Sequence, residues 1–392
     1  MKLFVLLSRV PYPLEKGDKL RAFHHLRCLS KYYDIHLFCL NDTKLHPQAI
    51  EKLSLYCKSI TIAHLGKKDI YAGLFSALFS GIPFQSGYFF NKKIKKQILA
   101  KIQEINPDHI FCQLIRVTEY VKELNIPKTL DYQDVFSTGY QRLSTKSSFF
   151  MKPLLRIESK RVDKYEKYIF DKFDNKLIIS QPDRDAITHA QKNEIHVIPN
   201  GVDTEYFKPV DLNKEFDILF TGNMNYKPNV DGVEYLVKNV LPLLKKKLPA
   251  VKILIAGADP HKRVLKLASD DVTVSGWVED MRDCYAKSRI FVAPMQIGTG
   301  LQNKLLEAMA MKLPCVTSGL ANNALQATED SEILVGYSPE DYADKIVMLL
   351  KDREVYNRIA NGGYNFILKN YDWETQAERI HGLISGEANM KV

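Results

Sequence analysis

Lys304 and Glu307 stand behind the run Gly298, Thr299, Gly300, and residues three apart in a helix share a face. Ahead of the glycines, Arg289 to Ala293 is a β-branched and aromatic run that predicts a buried strand. Behind them, Leu301 to Met311 predicts a helix, and Pro314 closes the turn into a further strand, Cys315 to Thr317. A glycine loop opening a helix leaves backbone N–H groups free and aims the positive end of the helix dipole outward. That is an anion site, with a phosphate as its usual guest. Lys304 adds a cation one turn in. The Glu307 carboxylate can accept two hydroxyl protons, as a ribose diol presents them, although on spacing alone an exposed helix carboxylate reads the same. A diphosphate pocket beside a diol acceptor points to a nucleotide sugar. The loop also imitates a dinucleotide fingerprint, but its third position is Asn303 rather than glycine, and it comes late in the chain.

Other candidates sit where α/β proteins bind ligands, after the carboxyl ends of strands. Gly17 and Arg21 follow the strand predicted at Leu3 to Leu7. Gly17 allows the backbone close to a phosphate, and a simple turn with a solvated arginine fits equally. Asp131 and Asp134 follow Lys128 to Asp131 and either meet hydroxyls of a substrate or, for Asp134, cap a helix. Asp183 and Asp185 imitate a metal-binding pair, but they follow Pro182 at a helix start, where the dipole favours acids. No other carboxylates cluster, so catalysis without a metal is expected, and no Ser-His-Asp or Cys-His set is readable. Cys28, Cys39, Cys57, Cys112, Cys284 and Cys315 form no Cys-x-x-Cys pair and read as buried free thiols of a reducing compartment. His24 and His25 are neighbours, which point apart on a helix, so they predict no metal site.

These residues need a scaffold, and 392 residues are enough for two cores. At 45% hydrophobic the chain is globular, and its net charge of +9 is spread over the whole length. Such a spread suits anionic ligands and an anionic membrane surface better than nucleic acid. No run of eighteen apolar residues could span a bilayer, and the N-terminus predicts a first core strand rather than a signal peptide. Strands and helices alternate along both halves, which implies parallel sheets with crossover helices. Predicted helices include Val117 to Leu124 and Val230 to Lys247. Another, Pro153 to Phe173, is amphipathic, with Leu154, Leu155, Ile157, Val162, Tyr165 and Ile169 inward. The polar run after Pro209 marks a boundary, giving domains at 1–205 and 206–371 and a terminal helix with its tail at 372–392. Tyr71 to Phe84, beside Lys92, Lys93, Lys95 and Lys96, reads either as an apolar membrane-contacting edge or as an ordinary buried helix.

Three stretches together carry a resemblance. Leu305 to Ala310 with Leu313 to Val316 resembles the donor-site helix of family-4 retaining glycosyltransferases of the GT-B fold. His196 to Pro209 is similar to that family's interdomain signature, and Phe220 to Asp231 to the first strand and loop of its nucleotide domain. Arg9 to Arg21 and Leu130 to Ser137 resemble a narrower group, sugar transferases associated with bacterial exopolysaccharide clusters. The resemblance runs in order over nearly the whole chain.

The resemblance implies an α/β GT-B protein, with two Rossmann-like domains facing a cleft and a C-terminal helix crossing back to the first. It implies a cytoplasmic glycosyltransferase at the inner face of the plasma membrane. Such an enzyme moves a sugar, with retention, from a nucleoside-diphosphate sugar to a saccharide or polyprenyl-linked saccharide acceptor. The donor is a substrate, and no cofactor is expected. Donor binding falls to Gly222, Asn223, Lys227, Gly298, Thr299, Gly300, Leu301, Lys304 and Glu307. Reaction chemistry falls to Gly17, Arg21, Asp134 and Lys304, with Lys304, Lys227 and Arg21 neutralising the diphosphate. The chain departs from the family in two places. Of two glutamates separated by seven residues, Glu307 is the second and Thr299 replaces the first, which bears on donor-sugar choice. Asn223 stands near the usual arginine, with Lys227 in place of the usual lysine. A nucleotide-sugar 2-epimerase and an inactive scaffold in a polysaccharide assembly complex are the alternatives.

Overall fold

The computed structural model describes residues 1–297 and 300–387. The chain divides into two compact units: Met1–Pro199 with the segment from Trp373 onward, and Asn200–Asp372.

The strands of the first unit are β1 Lys2–Leu7, β2 Asp34–Asn41, β3 Ser59–His64, β4 His109–Gln113, β5 Lys128–Asp131, β6 Asn175–Ile178 and β7 His196–Val197. They form one sheet in the order β3-β2-β1-β4-β5-β6-β7, with every pairing parallel. Successive residues of a strand point to opposite faces, and β1 is apolar on both. Phe4 and Leu6 enter a core with Ile98 and Val162. Leu3, Val5 and Leu7 enter another with Leu26 and Leu29. A sheet covered on both sides explains the unbroken apolar strand sequences.

The terminal helix Trp373–Ser385 belongs to this unit. Trp373, Ala377 and Ile380 lie on one stripe and are buried in the second of those cores. The Trp373 ring stacks on His24 at 4.7 Å and meets His25 edge-on at 5.7 Å. The two histidines thus line an aromatic seat.

The second unit repeats the plan with β8 Phe216–Thr221, β9 Ile253–Ala256, β10 Val272–Gly276, β11 Ser288–Ala293, β12 Cys315–Ser318 and β13 Leu334–Gly336. The order is β10-β9-β8-β11-β12-β13, again all parallel. In each sheet the winding reverses once, between β1 and β4 and between β8 and β11. Crevices at the carboxyl ends of such reversals are where doubly wound sheets receive ligands.

Several expectations are corrected. Residues 200 to 205 pack with the second unit rather than the first, because Val202 joins its core and its N–H donates to Tyr371 O at 2.7 Å. Val117 to Leu124 is not an α-helix; a 3-10 helix spans Ile115–Tyr120 instead. Leu154 and Ile157 point outward, 48% and 57% exposed. Leu155, Val162 and Ile169 recur every seven residues and take the inner stripe of the Lys152–Phe170 helix, which leaves Leu154 and Ile157 on the flank. The helix Arg353–Asn370 was not foreseen.

Candidate functional site

In the second unit the chain leaves β8 through Gly222 at φ 149°, and leaves β9 through Gly257 at φ 143°. Both angles suit glycine, and neither position has room for a side chain. A Cβ on Gly257 would lie 1.8 Å from Gly222 O, and one on Gly222 would lie 2.6 Å from Asn229 Nδ2 and 3.3 Å from Lys304 Nζ. The two strand ends thus touch backbone to backbone, and Lys304 reaches them from the helix Asn303–Ala310 that follows β11. The sheet reversal therefore brings Gly222 and Lys304 together across 82 positions of sequence.

Lys304 is held without a carboxylate. Its ammonium donates to Asn229 Oδ1 and lies 4.7 Å from the centre of the Phe220 ring. Asn229, on the helix Lys227–Tyr235, is fixed in turn by its Nδ2 donating to Asn223 O at 2.9 Å. One turn along the lysine helix, Glu307 accepts from the buried Tyr285 hydroxyl at 2.7 Å. That hydroxyl also lies 2.9 Å from Thr221 Oγ1. Burial pulls the Lys304 ammonium down to about 7, with the Glu307 charge pulling the other way. Burial likewise pushes Glu307 up to about 7, against the Tyr285 hydrogen bond and the Lys304 charge. Each group is costly to charge until something else enters. An anion would restore the lysine proton, and a pair of hydroxyl donors would stabilise the carboxylate.

The other donor-side candidates are distributed unevenly. Gly298 and Thr299 lie outside the described residues. Gly300 O accepts from Gln302 Nε2 at 2.9 Å, a Cβ at Gly300 would meet nothing within 4 Å, and Leu301 packs on the core. Asn223 contributes its carbonyl to Asn229, while its Oδ1 accepts from Asn225 N at 2.9 Å. Lys227 is not gathered to Lys304: it is exposed and paired with Asp231 one turn on. Asn229, Tyr285 and Thr221 were not foreseen; Asn229, in the first turn after Pro228, was the most readable of them.

The first unit has its own group at its reversal. Arg21, expected to meet an anion, is fully buried in a two-point ion pair: Nε to Asp131 Oδ2 at 2.6 Å and a second nitrogen to Oδ1 at 3.1 Å. The pair ties the helix Gly17–Leu29 to the end of β5, so the two charges are already matched within the unit. Gly17 opens that helix with nothing within 4 Å of a Cβ position. Asp134 is open to solvent, yet the surrounding protein raises its carboxyl, against Arg142 and Arg116. Asp183 lies in the first turn of a short helix whose cap is Ser180, as the capping role requires. Two arginines missed in the sequence stand at the reversal itself. Arg9, after β1, meets Asp18 at 3.1 Å, and Arg116, after β4, lies 3.8 Å from the same carboxylate. Among the described residues, no cluster of His, Cys, Asp and Glu could hold a metal ion, and no helix is long and apolar enough to cross a membrane.

Residues 215–352 match the family model described as glycosyl transferases group 1. Paired parallel-sheet units give the chain the GT-B fold, and the match to the family model lies within the second unit. An "uncharacterized 44.6 kDa protein in cps region" of Klebsiella pneumoniae is 22% identical over 95% of this chain and 96% of its own length. A GDP-mannose-dependent alpha-(1-6)-phosphatidylinositol monomannoside mannosyltransferase of Mycobacterium tuberculosis is 24% identical over 49% of this chain, which spans only 56% of that protein. Among solved structures, HepE of Anabaena in complex with UDP and glucose is similar in fold. Its TM-score is 0.67 at 13% identity, covering 97% of this chain and 99% of that one. The resemblance to family-4 glycosyltransferases and to proteins of exopolysaccharide clusters therefore stands.

Proposed function

We propose that this protein transfers a sugar from a nucleoside-diphosphate sugar to a saccharide carried on a membrane lipid, with retention and without a metal ion. The observation that carries the reading is the Lys304 ammonium. It is held at the sheet reversal by an amide and an aromatic ring, one helix turn from a carboxylate raised by burial. A protein keeps an uncompensated cation in such a place at a cost, and a diphosphate removes that cost. Glu307 would then take the ribose diol. With no nucleophile set in view, the rate would come from orientation and from meeting the charge on the leaving diphosphate. The first unit would receive the acceptor, with Arg9, Asp18 and Arg116 at its own reversal. The mannosyltransferase relative, named for a phosphatidylinositol acceptor, supports a lipid-linked substrate and work at the inner face of the plasma membrane.

Calorimetry with UDP and GDP tests the site. One of the two is expected to bind, and Glu307→Gln is expected to weaken it about tenfold, since a charge-assisted hydrogen bond is roughly twice as strong as a neutral one. Unchanged affinity in the variant would reduce Glu307 to a structural residue. Turnover after exhaustive chelation tests metal independence. Release of nucleoside diphosphate only when acceptor is present separates transfer from epimerisation.

A further inference from the structure

The first unit turns its large apolar side chains outward in one region. On the helix Lys67–Ser80, the inner face is Gly73 and Ala77. They seat the helix so closely that a Cβ on Gly73 would lie 2.2 Å from Gly87 O. The aromatic face is therefore the outer one: Tyr71, Phe75, Leu78 and Phe79 are 56–78% exposed. This is the reverse of an ordinary surface helix, which hides its apolar stripe.

A second apolar element adjoins it. Phe149 and Phe150, at the corner leading into the Lys152–Phe170 helix, are 80% and 88% exposed. Leu154 and Ile157 continue from them along the stripe that leads to Arg161. The Arg161 guanidinium donates to the carbonyls of Ala77 and Ile82, at the end of the first helix. The two outward stripes are thus joined within the unit. Monomeric soluble proteins rarely expose contiguous patches of this kind without a partner.

The charge around the patch selects the partner. From Ile70 to Gln103 the sequence has no acidic residue, and neither has Val135 to Ile157. Exposed cations border both elements: Lys92 and Lys93 line a groove with Ala72, Ser76 and Asp69, whose carboxylate is engaged by Gly66 N and Asn91 Nδ2, and Arg156 and Lys160 stand beside Ile157. Aromatic side chains set among cations match the boundary of an anionic bilayer, where rings enter the headgroup layer and cations meet phosphates.

We infer that this paired surface, the Lys67–Ser80 helix with the Phe149–Ile157 corner, docks the protein on an anionic phospholipid membrane. The inference deepens the proposed lipid-linked acceptor by assigning the face that meets the lipid. Flotation of the whole protein with vesicles of phosphatidylglycerol and phosphatidylethanolamine is the test. Wild type is expected to float, and Phe75→Ser with Phe79→Ser, or Phe149→Ser with Phe150→Ser, should each weaken partitioning about tenfold or more. Arg156→Glu with Lys160→Glu should weaken binding to anionic vesicles and leave phosphatidylcholine unaffected. These side chains are exposed, so the melting temperature should not move. No flotation of wild type, or flotation that both phenylalanine pairs leave unchanged, overturns the inference. So does a concentration-dependent dimer that the phenylalanine pairs abolish while vesicles never bind. Vesicle binding without any nucleotide binding would sink the proposed activity and leave this surface standing. Nucleotide binding without vesicle binding would do the opposite.

Discussion

At the scale of single residues, the pairing of Lys304 with Glu307 makes a pH signature. Both groups rest near 7 in the free protein, and both must be charged to hold a diphosphate and a ribose. Below about 7 the carboxylate takes a proton and loses its acceptor role. Above about 7 the ammonium loses its proton and its charge. Nucleotide affinity is therefore expected to peak near neutrality and to fall on each side by up to about tenfold per pH unit, as one linked proton requires. Calorimetry from acid to alkaline pH on three proteins checks it. Glu307→Gln should remove the acid limb alone, and Lys304→Met the alkaline limb alone. A flat wild-type profile would dismiss both assignments. Lys304 and Glu307 were readable because their spacing is local. Asn229 and Tyr285 were not, because they reach the pair only through the packing of other helices. Arg21 misled for the same reason: its position after a strand is visible in sequence, but its partner Asp131 lies 110 residues away.

At the scale of elements, the strands read at Leu3 to Leu7, Lys128 to Asp131, Arg289 to Ala293 and Cys315 to Thr317 fall within a residue of β1, β5, β11 and β12, since buried parallel strands are short apolar runs with polar breaks. Helices were harder. Arg353–Asn370 contains Asn361, Gly362 and Gly363, which local rules take for a turn. The glycines answer to tertiary packing instead: a Cβ at Gly362 would lie 2.0 Å from Ser331 O, and one at Gly363 would lie 2.8 Å from Glu332 O. The outward turn of Leu154 and Ile157 was hidden because hydrophobicity alone does not say which of two adjacent stripes is covered. The Arg21–Asp131 pair joins a helix to a strand, and its worth can be tested there. Arg21→Met alone leaves a buried carboxylate unpaired and is expected to cost about 3–5 kcal/mol. Arg21→Met with Asp131→Leu should recover most of that. In a Trp277→Phe background, the fluorescence of Trp373 follows urea unfolding of the first unit. A double variant no more stable than the single one would show that the pair is not the joint described.

At the scale of the whole molecule, the terminal helix is part of the first unit's core. Trp373→Ala removes a ring only 2% exposed, a loss expected to cost about 3–5 kcal/mol. A ligand stabilises only the unit that binds it, so UDP or GDP sorts the transitions in a calorimetric melt. The transition that nucleotide does not raise should fall in Trp373→Ala, while nucleotide affinity stays at the wild-type value. Weakened affinity would mean that the donor site depends on more than the residues of the second unit.

The same helix bears on how the protein is born. The first unit begins the chain, but its aromatic seat for Trp373 is filled by residues made after the whole of the second unit. On a ribosome, which releases about 5–20 residues per second, the seam around His24 and Leu26 stays uncovered while residues 200 to 372 are translated. The second unit, encoded in the middle, carries its complete core in one continuous segment. It is thus the part able to mature first, and the first unit, built from two separated segments, closes last.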